Sequence, residues 1–135
     1  MSTLKVNSIQ ATGGNNGVTP GEINKGIVKI YCDWKTKDGH SINNSNNVSS
    51  ITDGGTGDTT INFSITLASA NYSMGSTVME DHAGASSRSD QCLQFKRDST
   101  CKTTTSCRVG TYFTHTGSNV DCIVNTIMIC GDEEN

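Results

Sequence analysis

The densest group of titratable side chains is Glu80, Asp81 and His82, three consecutive residues at the end of an alternating stretch. Two neighbouring carboxylates beside an imidazole can divide general acid and general base roles. Acting on a surface polysaccharide, such a set would make a hydrolase. A solvated turn at a strand-to-loop junction has the same composition, and no second motif reinforces the catalytic reading. The chain has neither a Gly-x-Ser-x-Gly elbow nor a Gly-Lys-Ser/Thr phosphate loop, and Ser86 and Ser87 have no nucleophile context. We therefore expect no enzymatic activity.

Metal chemistry has equally little support. His40, His82 and His115 are far apart in sequence, and no Cys-x-x-Cys pair occurs. Cys101 and Cys107 are too widely spaced for a zinc knuckle. The run Gly54-Gly55-Thr56-Gly57-Asp58 approaches the Gly-Gly-x-Gly-x-Asp calcium repeat but lacks the residue between the last Gly and Asp, and it occurs once. It reads as a turn, and the expected metal and cofactor content is none.

Binding is better represented. Lys96, Arg97, Lys102 and Arg108 fall in neighbouring predicted strands, and Tyr31 and Tyr112 fall on outward faces by parity. Together they could form a modest basic patch suited to a sugar or an anionic glycan. With 10 basic and 13 acidic residues the net charge is −3, which gives no footprint for nucleic acid. No basic cluster or apolar run suits a membrane, so no membrane insertion is expected. Met1 to Ser8 shows no apolar signal-peptide core, and the six cysteines are expected as mostly buried thiols. Cys101 and Cys107 flank a turn and are the pair best placed to oxidise. The Asn-x-Ser sites at Asn43, Asn47, Asn62 and Asn71 carry little weight in so Asn- and Ser-rich a chain.

The elements that must position these residues are strands. The hairpin at Val48 to Leu67 is the clearest: Thr59, Ile61, Phe63, Ile65 and Leu67 alternate with polar residues after a turn centred on residues 53–58. Val28, Ile30, Cys32 and Trp34 share one face of an earlier strand. Further strands are expected at residues 72–80, 91–97 and 107–115, with turn or loop at 35–47, 81–90 and 98–106. Residues 120–130 carry Val120, Cys122, Val124, Met128 and Cys130 on one face and Ile123, Ile127 and Ile129 on the other, as in a central strand or one at a subunit contact. Roughly seven close-spaced strands predict an all-β, antiparallel β-sandwich, jelly-roll-like. The expected core is Val28, Ile30, Trp34, Ile61, Phe63, Tyr72, Val78, Leu93, Phe95, Val109, Phe113 and Val124. The sandwich should begin at residue 26 and run to residue 135. Residues 1–25 form an extended N-terminal arm, with one helical turn opened by Thr19 and Pro20, running through Asn24 and stopped by Gly26. The chain is only 33% hydrophobic, so part of the core is expected between subunits.

Two strings resemble a known group. Ser2-Thr3-Leu4-Lys5-Val6-Asn7-Ser8-Ile9-Gln10 is similar to the opening of tail-fibre-like virion structural proteins of marine and cyanobacterial tailed phages. Val48 to Phe63, followed by Ala70-Asn71-Tyr72, resembles the hairpin of the same proteins. The strand at 26–34 and the ending Ile129-Cys130-Gly131-Asp132 fit that layout. The resemblance implies a virion protein, assembled in the host cytoplasm as a homotrimer and contacting other virion proteins of tail or head. This chain departs from the pattern in its six cysteines and its short length. The expected role is a short tail fibre or tail-tip component, with head (capsid) decoration as the alternative. Leu4, Val6 and Ile9 are expected to anchor the arm to the particle. Asn43, Asn44, Asn46, His82, Arg88 and Lys102 are the candidates for binding a host-surface glycan.

Overall fold

The computed structural model describes residues 23, 24, 26–79 and 91–132. Among them are eight strands: β1 (Val28–Lys35), β2 (Ser41–Asn46), β3 (Val48–Asp53), β4 (Asp58–Phe63), β5 (Ser73–Met79), β6 (Gln91–Phe95), β7 (Ser106–Phe113) and β8 (Val124–Cys130). They form two four-stranded sheets, β2-β1-β8-β5 (sheet I) and β3-β4-β7-β6 (sheet II), with every pairing antiparallel. The all-β, antiparallel sandwich is the expected class.

Alternation builds each inner face. Ile30, Cys32 and Trp34 of β1 and Ile127 and Ile129 of β8 meet Ile61 and Phe63 of β4, Cys107 and Val109 of β7 and Leu93 of β6 in one buried cluster. β-Branched and aromatic side chains suit such a pleated, half-buried surface. Tyr72 closes the cluster edge-on to Phe63 and Phe95, with ring centroids 6.1 Å apart in each pair. Its hydroxyl donates to the Ser106 carbonyl at 3.0 Å, satisfying a polar atom at the end of a buried ring.

Three expectations change. Residues 35–47 are not all loop, because β2 occupies 41–46. Its Asn- and Ser-rich sequence has low strand propensity, but main-chain pairing with β1 supplies the ladder. A turn through Lys37, Asp38 and Gly39 lies just before it, with Asp38 and Gly39 both at positive φ. Val28 is exposed rather than core, because a register shift between Val28 and Ile30 breaks the alternation there. The last strand starts only at Val124. Val120 and Cys122 are buried ahead of it, while within the strand Ile127 and Ile129 point inward and Met128 outward. The two-sided pattern is that of a central strand, with β8 between β1 and β5. Of the other expected core residues, Val78 and Phe95 pack on the cluster half-buried, and Phe113 and Val124 are half-buried. Leu67, Cys107, Ile127 and Ile129 join it. A helical turn at Ile23, Asn24 and Gly26 precedes β1. Thr19, Pro20 and the rest of the arm lie outside the described residues.

The cysteines are free thiols, with Cys32, Cys107 and Cys122 buried and Cys92, Cys101 and Cys130 half-buried. Burial pushes the Cys32 and Cys107 thiols up to about 12. Their thiolate fraction at pH 8 is then on the order of one part in ten thousand. Iodoacetamide on the native protein at pH 8 should modify Cys92, Cys101 and Cys130 first, and all six only after denaturation without reductant. Intact mass reads this, and two unmodified cysteines in the denatured sample would establish a disulfide bridge instead.

Candidate functional site

The loops at one end of the sandwich hold a line of polar groups that sequence reading did not assemble. Asp53 Oδ2 lies 3.3 Å from His40 Nδ1, and His40 Nε2 lies 3.0 Å from Thr59 Oγ1. An acid, an imidazole and a hydroxyl in that order have the form of a nucleophile relay. Thr59, however, is 2% exposed, and its oxygen already accepts the Trp34 indole N–H at 3.3 Å. With the imidazole proton on Nδ1, facing Asp53, the Thr59 hydroxyl donates to Nε2 and every group is satisfied. The line is a structural tie between the residue-40 turn and β4. Beside it, Asn125 accepts from the Thr111 hydroxyl at 3.1 Å and donates to the Trp34 carbonyl at 3.3 Å. This is the usual solution for a fully buried amide.

The outer face of sheet II carries a second cluster. Asp58 opens β4 with its side chain only 8% exposed. Arg108 of β7 grips it in bidentate fashion, Nε to Oδ1 at 3.0 Å and NH2 to Oδ2 at 2.7 Å. Lys96, just past β6, adds its ammonium at 3.3 Å from Oδ2. Arg108 also reaches Asp98 at 3.2 Å. Burial alone would raise the Asp58 carboxyl, but the hydrogen bonds from Arg108 and Lys96 outweigh it and hold the group below its ordinary value. The Lys96 ammonium also stands 5.1 Å from the centre of the Tyr112 ring. Tyr112 lies across Gly110, where an added Cβ would fall on the tyrosine's hydroxyl end. Glycine at this point of β7 gives the ring its seat.

Tyr112 in turn walls an open depression of about 460 Å³, completed by Cys92 and Gln94 of β6, by Arg97, and by Thr114 and Gly117 of the following turn. A second depression, of about 370 Å³, lies over residues 68–73 and 130–132 and is lined mainly by small polar residues and Asp132. The first combines an aromatic ring with a cation and falls in the size range of small-ligand sites. It is the candidate functional site.

The expected basic patch is thereby divided. Lys96 and Arg108 are neutralised by Asp58 and Asp98. The Lys102 ammonium turns inward, donating to the Tyr72 carbonyl at 2.7 Å and resting over the Tyr72 and Phe95 rings. Arg97 alone of the four points into the depression. Asn43, Asn44 and Asn46 stand on the edge strand β2. Asn43 donates to the Asp33 carboxylate at 3.2 Å and Asn46 to the Lys29 carbonyl at 3.4 Å, while Asn44 is exposed. None of the three lies near the depression. Leu4, Val6, Ile9, Glu80, Asp81, His82 and Arg88 lie outside the described residues. Among those described, no group of three or more His, Cys, Asp or Glu is placed to hold a metal, and no helix is long and apolar enough to cross a membrane.

No protein-family model, curated protein or solved structure matches this chain.

Proposed function

We propose that this chain is a structural protein of a tailed-phage virion, a short tail-fibre or tail-tip component that joins the particle through residues 1–25 and meets the host surface with its sandwich. The observation that carries the reading is the stretch Val48 to Phe63, the longer of the two strings with phage-like character. It folds as the β3–β4 hairpin and is built into sheet II, in register from Ser50↔Asn62 to Asp53↔Thr59, with a register shift between Val48 and Ser50. A string used this way belongs to a packed sandwich.

Assembly as a homotrimer is supported by the outer face of sheet I. Met128 is 50% exposed there, and Ile27 and Val28, at the entry to β1, are 50% and 39% exposed. Met128 pairs with Tyr31 on one side and Gly75 on the other, so its exposed side chain stands in the middle of the sheet. A second copy of the chain would bury this band, and a low-apolar chain gains more from such a contact than from further folding. Sedimentation equilibrium at micromolar concentration should give three times the protomer mass. Met128→Glu should shift that mass toward the protomer while leaving circular dichroism unchanged, because the side chain is outside the core. A wild-type protomer mass would sink the assembly reading.

The particle assignment has its own test. Deleting residues 2–20 should abolish incorporation into particles and leave a folded sandwich. Normal incorporation of the truncated chain would move the anchor to a sandwich face and favour head decoration.

A further inference from the structure

Three cations surround the outer face of β6 and β7, and their partners are unequal. Lys96 and Arg108 are matched by Asp58 and Asp98. Arg97 is exposed and has no hydrogen-bond or ion-pair partner among the described residues, and it lines the depression beside Tyr112, Gln94 and Thr114. The side chains of Gln94 and Thr114 likewise make no bond among the described residues. The site therefore offers one uncompensated positive charge, one aromatic surface braced by Gly110 and Lys96, and two free hydrogen-bonding groups.

We propose that this groove binds a saccharide bearing a single carboxylate, a hexuronic or sialic acid residue. A sugar ring presents an apolar C–H face and a rim of hydroxyls. The first suits the Tyr112 ring, and the second suits the Gln94 amide and the Thr114 hydroxyl. A carboxylate matches the planar fork of a guanidinium, with two parallel N–H···O bonds. One free cation balances one negative charge, so a dianionic phosphate or a polyanion would leave charge unmatched against the neighbouring Asp58 and Asp98. The inference rests on the host-surface reading only for the origin of the sugar. The groove itself belongs to the isolated sandwich.

The test is a titration of the ¹⁵N-labelled chain, followed by amide shifts, with the methyl glycosides of galacturonate, glucuronate and sialate, the galacturonate methyl ester, and inorganic sulfate. Shifts should cluster at Gln94, Arg97, Tyr112 and Thr114 for at least one acidic sugar. The ester should bind about tenfold more weakly, as expected when a charge-assisted pair is lost. Arg97→Gln should reproduce that loss and abolish the difference between acid and ester. Gly110→Ala, which must displace the tyrosine ring, should weaken acid and ester by the same factor. Lys102→Gln should change nothing, because its ammonium faces the core. No shift with any of the acids, equal affinity for acid and ester, or the same shifts with sulfate alone at the same affinity would each overturn the proposal. Failure here with normal particle incorporation removes the sugar and keeps the virion reading. Binding without incorporation does the reverse.

Discussion

Gly57→Ala should cost about 3–4 kcal/mol of stability, enough to lower the melting temperature by about 10 °C or more. Gly57 sits at φ +60 in the turn between β3 and β4. An alanine there pays the left-handed penalty of about 1–2 kcal/mol. Its Cβ would also lie 2.6 Å from the Thr111 carbonyl oxygen and 2.7 Å and 2.8 Å from the Val120 oxygen and nitrogen. Those are main-chain atoms and cannot swing aside. Val120 N–H donates to Thr111, Thr111 N–H donates to the Gly57 carbonyl, and Gly57 N–H donates to the Asp121 carboxylate at 2.7 Å. Overpacking a fixed site of this kind adds about 1–3 kcal/mol. Gly55 is the control, because its φ is +105 and nothing lies within 4 Å of an added Cβ. Gly55→Ala should cost the backbone term without the clash, about 1–2 kcal/mol. Chemical denaturation of both variants decides the matter, and equal losses would mean that the close approach at Gly57 is not the cause.

Asp58→Asn should be the most damaging change of charge, about 2 kcal/mol at pH 7. It strips the negative partner from Lys96, whose side chain is 15% exposed, and from Arg108, which is 44% exposed. Breaking a fully buried pair costs about 3–5 kcal/mol, and solvent around Arg108 brings the figure down. The pH dependence has a definite sign. The folded state holds the Asp58 carboxyl below its ordinary value of 3.8, so the unfolded chain takes the proton first. The stabilisation is complete above about pH 4 and is lost as pH falls below 3.8 through the lower folded value. Asp98 shifts in the same direction, held down chiefly by the Thr100 hydroxyl and N–H and further by Arg108. Stability curves of wild type and Asp58→Asn should therefore stand apart at pH 7 and converge toward pH 2. Parallel curves across that range would show that the carboxylate is not acting through its charge.

Strand identity was legible wherever alternation was strict, as in β1 from Ile30 to Trp34, β4 and β7. It failed where tertiary pairing overrode composition. The Asn-rich β2 has no apolar signal, and its strand character comes from β1. Val28 obeyed parity on paper and lost it to a bulge, which no count of apolar residues reveals. The candidate site was half visible. Tyr112 and Arg97 were picked out together with Lys96, Lys102 and Arg108, but residue spacing cannot show which cation is already matched. That depends on Asp58 of β4 reaching Arg108 across the sheet, and on Lys102 turning under Tyr72. The Asp53–His40–Thr59 line was invisible for the same reason, since it joins three segments that only the β3–β4 register and the residue-40 turn bring together.

The position of β8 has a consequence for how the chain is made. β8 lies between β1 and β5, yet it follows both in synthesis, and β7, at the centre of sheet II, is the strand just before it. Until residues 124–130 leave the ribosome, β1–β2 and β5 are separate pieces with no common partner, and Ile30, Cys32 and Trp34 have half their wall missing. Pairing β1 with β8 closes a loop of most of the chain, and contacts so distant in sequence form slowly. Nascent chains short of β8 therefore carry exposed strand edges and an open apolar face, the state in which β proteins stick to one another. Every copy of the chain has to pass through that state, so its yield depends on how quickly the last strand is delivered to the middle of the sheet.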